Sequence, residues 1–519
     1  MKKYIFLSLL LAAMLPICTS CDDFLDKDPS KSSRKPISDI SQLDALLASF
    51  SSLYSESNPS FLCTDDYGLT PDIERERTGN SSSNDLDDFT WNTRNNRTSR
   101  CLWDGEYSKI FQANLVIANI DNVTGDPADK ANLKAEAHFL RAYSMFTLAV
   151  AHCLYPSSEA QGELGLPLRA TTSFEESVAR ATLGETFAHI ENDLTEALAI
   201  SKPLRQSDGT LENWRGNAVA VRAFAARYYL YMGDYEKAAG YADEVLREYN
   251  VLKDFNDPAE MYYHEIDDIY VINQGKPDQE EITVKYPYTK NQFYGTNGYP
   301  ELLGWQELLF ARCMSYASWW YIPSDDLLAT YTRDIKDGNP DNDLRYRYFV
   351  VEDFGLRYSN RTTAGRCHGY CQFFYDNLIS GPTVAEMYLI KAECLARSGN
   401  AGDALAQLDI LRRARISSDA YSSLPVSTPA AALKTVLDER RREMPLTIRW
   451  YDIKRYAWND DPSDDVTVTH TIFPYSTGGV MVNDPVVTHT LEPRSRHYAI
   501  PIPDIDINRS DGVLVQNRY

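Results

Sequence analysis

Pairs of adjacent carboxylates are the residues with the clearest catalytic potential. A glycosidase needs two carboxyl groups that face each other across a sugar at roughly 5 to 10 Å. Three pairs of neighbouring acids lie in loop-like parts of the sequence: Asp65-Asp66, Glu280-Glu281 and Asp325-Asp326. The chain contains 74 acidic residues, so such pairs are expected by chance. A glycosidase is therefore the weaker interpretation.

Two short segments carry side chains that bind metal ions. His368 lies between Cys367 and Cys371, but this cluster lacks the second ligand pair of a zinc site, and a Cys367-Cys371 disulfide is a less favoured alternative. A second segment supplies oxygen ligands in an order that departs from an EF-hand: Asp334, Asp337, Asn339, Asp341 and Asp343. We expect ordinary loops in both places and no cofactor, with a structural calcium ion as the alternative for the acidic segment.

Motifs of common enzymes are missing from the sequence. It contains no glycine-rich phosphate loop, no H-E-x-x-H zinc helix and no G-x-S-x-G nucleophile turn. The net charge of −22 also excludes a nucleic-acid partner, because phosphates require a basic surface. The sequence thus predicts a protein that is not an enzyme and whose ligand is neutral or polar.

Aromatic residues in irregular segments give the better indication of a site. The chain has 34 tyrosines. Rings that fall in segments without clear periodicity are Tyr67, Trp91, Trp103, Tyr288, Tyr294, Tyr299, Trp305, Trp319, Trp320 and Tyr321. A flat ring packs against the apolar face of a sugar while polar neighbours bind its hydroxyl groups. Core packing is the alternative for any single ring, and we expect at least two to reach solvent.

Helical hairpins are the elements that must position these rings. Apolar residues recur at steps of three and four in the segment 217–246, which turns at Gly233, and again in 382–415, which turns at Gly399. Each hairpin has a small alanine five residues beyond its turn glycine, as tetratricopeptide hairpins do. We predict a mainly α fold of tetratricopeptide-like hairpins that support a loop-rich, variable face with a few short strands.

The first 21 residues indicate export. Lys2 and Lys3 precede an apolar run that ends in small residues before Cys21. A cysteine at the cleavage point is typical of lipid attachment, which would hold the chain on a membrane surface. We predict a signal peptide at 1–20, a lipidated tether at 21–36 and one domain at 37–519. Within that domain the scaffold is mainly 100–250 and 380–457, and the loop-rich face mainly 55–100, 250–376 and 458–495.

Segments along the whole chain resemble the SusD/RagB outer-membrane lipoproteins of Bacteroidetes. They are Cys21 to Pro29; Trp103 with Tyr107, Ile110, Ala113 and Asn114; Ala135 to Tyr143; Ala392-Glu393; Glu439 to Glu443 followed by Arg449 to Arg455; and Ile500 to Pro503 with Asn508 and the terminal Gln516 to Tyr519. They occur in the order that the family shows. The charged segment 439–455 is interpreted structurally, with Glu443, Arg449, Asp452 and Arg455 forming ion pairs in the scaffold.

The resemblance implies a lipid-anchored protein at the cell surface of the outer membrane. Such a protein captures an oligosaccharide and delivers it to a SusC-like TonB-dependent transporter. In the loop regions that resemble the family's ligand face, we select Trp91, Tyr294, Trp319 and Trp320 as ligand-binding candidates. The alternatives are a structural lid of the transporter without its own glycan affinity, and a binder of peptide or glycoprotein fragments.

Overall fold

The computed structural model describes residues 37–78, 82–93, 101–259, 261, 266–286, 302–315, 321–373, 377–425, 427–459, 461–475, 481–482 and 485–519. The predicted signal peptide and tether, with Cys21, lie outside these residues.

Paired α-helices form most of the regular structure. In chain order, the described helices are α1 (Ile40–Leu47), α2 (Phe50–Leu53), α3 (Pro71–Glu76), α4 (Ser83–Phe89), α5 (Cys101–Asn119), α6 (Pro127–His152), α7 (Leu183–Ala197), α8 (Ala218–Tyr231), α9 (Tyr235–Glu248), α10 (Asp325–Thr330), α11 (Leu344–Phe349), α12 (Val384–Arg397), α13 (Ala401–Arg415), α14 (Pro429–Glu443), α15 (Arg449–Tyr456) and α16 (Asp504–Arg509). None of them is both long and apolar enough to cross a bilayer.

The two predicted hairpins are confirmed as α8 with α9 and α12 with α13. The side chain of Asn217 caps α8 by accepting a hydrogen bond from the Ala220 amide. Gly233 and Gly399 turn the chain at φ +78° and +85°, a conformation that costs little only for glycine. Local chemistry therefore fixes both the start and the turn of each pair.

Close helix packing joins the two helical sections into one scaffold. Helix α9 packs against α12, and α12 packs in turn against α14. Ala238 and Ala404 are fully buried, as their position beyond the turns predicts. A methyl side chain allows two helix backbones to approach closely. The apolar surface buried between them stabilises the fold by about 25 cal/mol per Å².

Short strands supply the rest of the regular structure. They are β1 (Ser55–Glu56), β2 (Ile266–Ile272), β3 (Glu280–Tyr286), β4 (Cys313–Met314), β5 (Val350–Val351), β6 (Gly369–Tyr370), β7 (Leu378–Ile379), β8 (Val468–Ile472) and β9 (Val487–Leu491). Strand β4 lies between β1, to which it is parallel, and β7, to which it is antiparallel. Antiparallel pairs join β2 to β3, β5 to β6 and β8 to β9. The mainly α fold with a few short strands is thus confirmed.

The charged segment of α14 and α15 lies inside the scaffold. Arg455 donates two hydrogen bonds to Glu393 on α12, at 2.6 and 2.7 Å. Arg440 pairs with Asp452 at 2.8 Å, and Arg415 on α13 pairs with Glu443 at 2.8 Å. The structural interpretation of this segment is therefore confirmed, because these carboxylates are occupied by arginine within the fold.

Candidate ligand-binding surface

Trp91 is part of the packing beneath the loop-rich face. It is 8% exposed, its ring stacks on His470 at 4.7 Å, and its indole N–H donates to the carbonyl oxygen of Cys63 at 3.1 Å. A ring with one face against an imidazole offers little surface to a sugar. Its burial argues against the predicted ligand contact, which stays a prediction for Trp91.

His470 fixes the strand β8 beneath this face. Its ring also stacks on Phe89, at 4.0 Å, and its two nitrogens lie 2.6 Å from the Phe89 carbonyl oxygen and 3.0 Å from that of Thr64. Burial lowers the pKa of His470, although the two carbonyl groups favour the protonated ring. The imidazole and the two aromatic rings therefore form a packed layer, which explains why Trp91 is turned inward.

The other three candidate residues, Tyr294, Trp319 and Trp320, lie outside the described residues. The segment 316–320 lies between Ser315 and Tyr321, and the nearby Met314 and Tyr321 are each 1% exposed. The segment that carries Tyr294 ends at Leu302, which is 2% exposed. Leu302, Met314 and Tyr321 belong to the same hydrophobic cluster. Three anchor points of the two ring-bearing segments are therefore held in one core.

The remaining described rings of the predicted set are also buried. Tyr67, Trp103, Trp305 and Tyr321 are between 1% and 6% exposed. Trp103 was expected in a loop, but it lies on α5 because the residues around it continue the helical repeat. The expectation that at least two rings reach solvent therefore depends on Tyr288, Tyr294, Tyr299, Trp319 and Trp320, which are not described.

Arginines of the scaffold hold the loop that contains Asp65 and Asp66. Arg449 donates to both carboxylate oxygens of Asp65, and Arg441 contacts Asp66 at 2.6 Å. Burial alone would raise the pKa of Asp65, but Arg449 and Arg441 outweigh it and keep that pKa below its ordinary value. Burial raises the pKa of Asp66, but its side chain is fully buried and held by Arg441 and the Leu446 amide. Both carboxylates are therefore occupied within the fold, which does not suit two carboxyl groups that must face each other across a sugar.

The described residues form no cluster of three or more metal-binding side chains. Asp343 is fully buried, and its carboxylate accepts two hydrogen bonds from Arg345, at 2.8 and 2.6 Å. The side chain that would complete the acidic calcium segment is therefore already paired. Cys367 and Cys371 are both free thiols.

Sequence reasoning missed a cavity of about 430 Å³ beside α5. Trp103, Tyr107 and Phe111 line it at steps of four along the helix, and Phe174 lies at its rim. The residue spacing was a usable signal, since i, i+4 and i+8 share one helix face. Tyr107 was noted only for the family resemblance, and Trp103 was assigned to an irregular segment.

Comparisons with known proteins identify related sequences and folds. A family described as "Starch-binding associating with outer membrane" (SusD-like) matches residues 23–230, and the SusD family matches residues 384–519. No curated protein sequence matches the chain significantly.

Solved structures reproduce the fold over almost the whole chain. Surface glycan-binding protein A from Bacteroides uniformis is 17% identical, with 92% of this chain and 99% of that chain covered and a TM-score of 0.61. A SusD superfamily protein from Bacteroides vulgatus is 18% identical, with 93% of this chain and 99% of that chain covered and a TM-score of 0.60. A laminarin-binding SusD-like protein is also 18% identical, with 92% of this chain and 99% of that chain covered and a TM-score of 0.57. The two family matches together cover about two thirds of the chain and the fold agrees, so the chain belongs to the SusD/RagB family, whose members are non-catalytic binding proteins.

Proposed function

We propose that the protein is a cell-surface lipoprotein that binds oligosaccharides and delivers them to a SusC-like TonB-dependent transporter. The observation that carries this proposal is the match of residues 23–230 to a family described as starch-binding and associated with the outer membrane. Solved relatives of the same fold are described as binding laminarin or surface glycans. An acidic protein with a net charge of −22 suits a neutral saccharide better than an anionic one.

Tyr294, Trp319 and Trp320 are the proposed ligand contacts. The described residues that flank their segments, Tyr286, Leu302, Met314 and Tyr321, are all buried. Three aromatic rings of this kind would stack on the apolar faces of sugar units, while nearby loop amides and carboxylates would bind the hydroxyl groups.

The binding experiment uses the full-length chain in a detergent without a sugar headgroup. Laminarin and amylopectin are the first probes, measured by isothermal titration calorimetry, with a reducing-sugar assay run on the same samples. We expect saturable binding without hydrolysis, and weaker binding for Trp319→Ala and Trp320→Ala. A chain that binds no member of a broad glycan panel, but co-purifies with a large barrel protein, would favour the structural-lid alternative.

Lipid attachment at Cys21 is proposed as the membrane anchor. A thioether-linked lipid would hold the polar tether 21–36 at the bilayer, and a cysteine is required for that bond. Cys21→Ala should leave the protein in the soluble fraction of cells that retain the wild type in the outer membrane. The control is Cys394→Ala, since Cys394 is a buried thiol within α12. Equal membrane retention of the Cys21 variant would exclude this anchor.

A further inference from the structure

The cavity beside α5 is built from aromatic rings on two elements, and we call it the Phe174 cleft. Trp103, Tyr107 and Phe111 line it from α5, and the segment 170–178 contributes Phe174. Trp103 is 6% exposed, whereas Phe174 is 85% exposed at the rim. Rings thus extend from the buried wall of the cleft to solvent, in a cavity of about 430 Å³.

Phe174 is exposed at a fixed position. Its ring stacks on Phe111, with centroids 5.5 Å apart and planes inclined by 28°. The Glu176 carboxylate accepts hydrogen bonds from the amides of Ala170 and Thr171, at 3.1 and 3.2 Å, and Arg169 donates to the Ser173 carbonyl oxygen at 3.3 Å. A single exposed phenyl ring is ordinary, but one that continues a row of rings at the edge of a cavity is a feature of ligand-binding grooves.

Polar groups around the rings are balanced in charge. Asp104 and Asp506 contribute two carboxylates, and Arg169 and Arg509 contribute two guanidinium groups. Within the described residues, the Arg509 side chain and the hydroxyl group of Ser108 form no hydrogen bond, so both are available to a ligand. Among the described lining residues, aromatic faces, spare hydrogen-bonding groups and equal numbers of acidic and basic side chains suit a neutral polyhydroxylated ligand better than an anion or a cation.

We propose that the Phe174 cleft is a second saccharide-binding site, separate from the loop-rich face, that takes one or two units of a neutral oligosaccharide. Phe174 and Phe111 would stack on the apolar face of a sugar ring at the rim, and Ser108 and Arg509 would bind its hydroxyl groups. The choice of saccharide as ligand rests on the proposed function, but the position of this site does not. Two sites on one chain would bind a long glycan more tightly than either alone.

The test compares the wild type with four variants of the full-length chain, in a detergent without a sugar headgroup. The variants are Phe174→Ala, Phe174→Tyr, Val513→Ala and Trp319→Ala. Maltose, laminaribiose, cellobiose and their longer oligomers are the probes, and affinity and stoichiometry are measured by calorimetry. Phe174→Ala should weaken one class of sites by about threefold to tenfold, the range expected for loss of one stacked ring. Phe174→Tyr keeps the ring and should bind as the wild type does. Val513→Ala removes an exposed apolar side chain next to Leu514 of the cleft and is the matched control.

The Trp319 and Phe174 variants separate this inference from the proposed function. Binding that is lost in Trp319→Ala and unchanged in Phe174→Ala overturns the second site and leaves the proposed function standing. Binding that survives in the Trp319 variant and is weakened in Phe174→Ala supports the cleft. Failure of every probe to bind the wild type at millimolar concentration overturns both. Because Phe174 is 85% exposed, unchanged thermal unfolding verifies that the variant folds.

Discussion

Arg449 and Asp65 lie 384 positions apart in the sequence and form a two-point ion pair. Arg449 Nε donates to Asp65 Oδ1 at 2.8 Å, and its Nη2 donates to Oδ2 at 2.7 Å. The arginine begins helix α15 of the scaffold, and the aspartate belongs to the loop-rich part of the chain. The pair therefore fixes one part of the fold against the other.

Breaking this pair should destabilise the protein. Arg449→Leu leaves the Asp65 carboxylate beside Arg441 but without its two-point partner, and loss of one member of a buried pair costs about 3 to 5 kcal/mol of unfolding free energy. Urea denaturation measures the change. The control is Lys434→Leu, which breaks an exposed pair with Asp438 on α14 and should leave the urea midpoint almost unchanged. Equal losses in the two variants would contradict the anchoring role of Arg449.

Acid should unfold the protein partly through Glu393. Burial alone would raise its pKa, but Arg455 and Arg397 outweigh it and hold the folded pKa below the ordinary value near 4.5. A carboxylate with a lowered folded pKa contributes stability that is present above its unfolded pKa and is lost as pH falls below it. The wild type should therefore lose stability progressively as the pH falls below about 5.

Glu393→Gln tests that assignment. The variant should be less stable at pH 7, because two arginines lose their charged partner, and should show a smaller further loss in acid. Thermal unfolding at a series of pH values measures both effects, with Glu196→Gln on the exposed face of α7 as the control. An acid profile identical to that of the wild type would assign the loss to other carboxylates.

Stability and ligand affinity should separate at Trp91 and Trp319. Trp91→Ala removes a ring packed on His470 and should cost about 3 to 5 kcal/mol of stability. Its effect on the affinity of the molecules that remain folded should be small, because the ring has little exposed surface. Trp319→Ala should instead weaken ligand binding and leave the urea midpoint almost unchanged. Calorimetric affinity and urea midpoints on the same preparations provide the comparison, and a Trp91 variant that is stable but does not bind would support Trp91 as a ligand contact.

Two glycines should respond to alanine with opposite signs. A Cβ at Gly381 would lie 1.9 Å from the carbonyl oxygen of Phe310, so Gly381→Ala must displace backbone beside strand β7. A Cβ at Gly402 meets no atom within 4 Å, and Gly402→Ala on α13 should stabilise the helix by up to about 1 kcal/mol. Differential scanning calorimetry distinguishes the two variants by their melting temperatures. A higher melting temperature for Gly381→Ala would show that this close approach has been misjudged.

The helical hairpins were predictable because their signals are local. Asn217 caps a helix, Gly233 ends a hairpin turn, and Ala238 marks a close crossing, all within about two dozen positions of the sequence. Strand partners such as β1 with β4 were not predictable, since two-residue strands carry no periodicity and their partners are distant in the chain. Tertiary contacts fixed those pairs.

Ligand residues were harder to predict than the scaffold. Aromatic type does not distinguish a ring that packs in a core from one that faces solvent, and the burial of Trp91 could not be read from its residue type. The Phe174 cleft was missed because its rings come from a helix and a separate turn, which only the folded chain brings together. Exposure depends on long-range packing, which a single sequence does not encode locally.

The three-stranded sheet sets the order in which the chain can acquire its structure. Strand β1 at residue 55 needs β4 at residue 313, and β4 in turn needs β7 near residue 379. Contacts of such high sequence separation form late, because a large loop must close before they give any stabilisation. The early helices can pair while synthesis continues, but the three-stranded sheet cannot form until nearly three quarters of the polypeptide exists. Premature termination anywhere before that point should leave an aggregation-prone fragment with native-like helices.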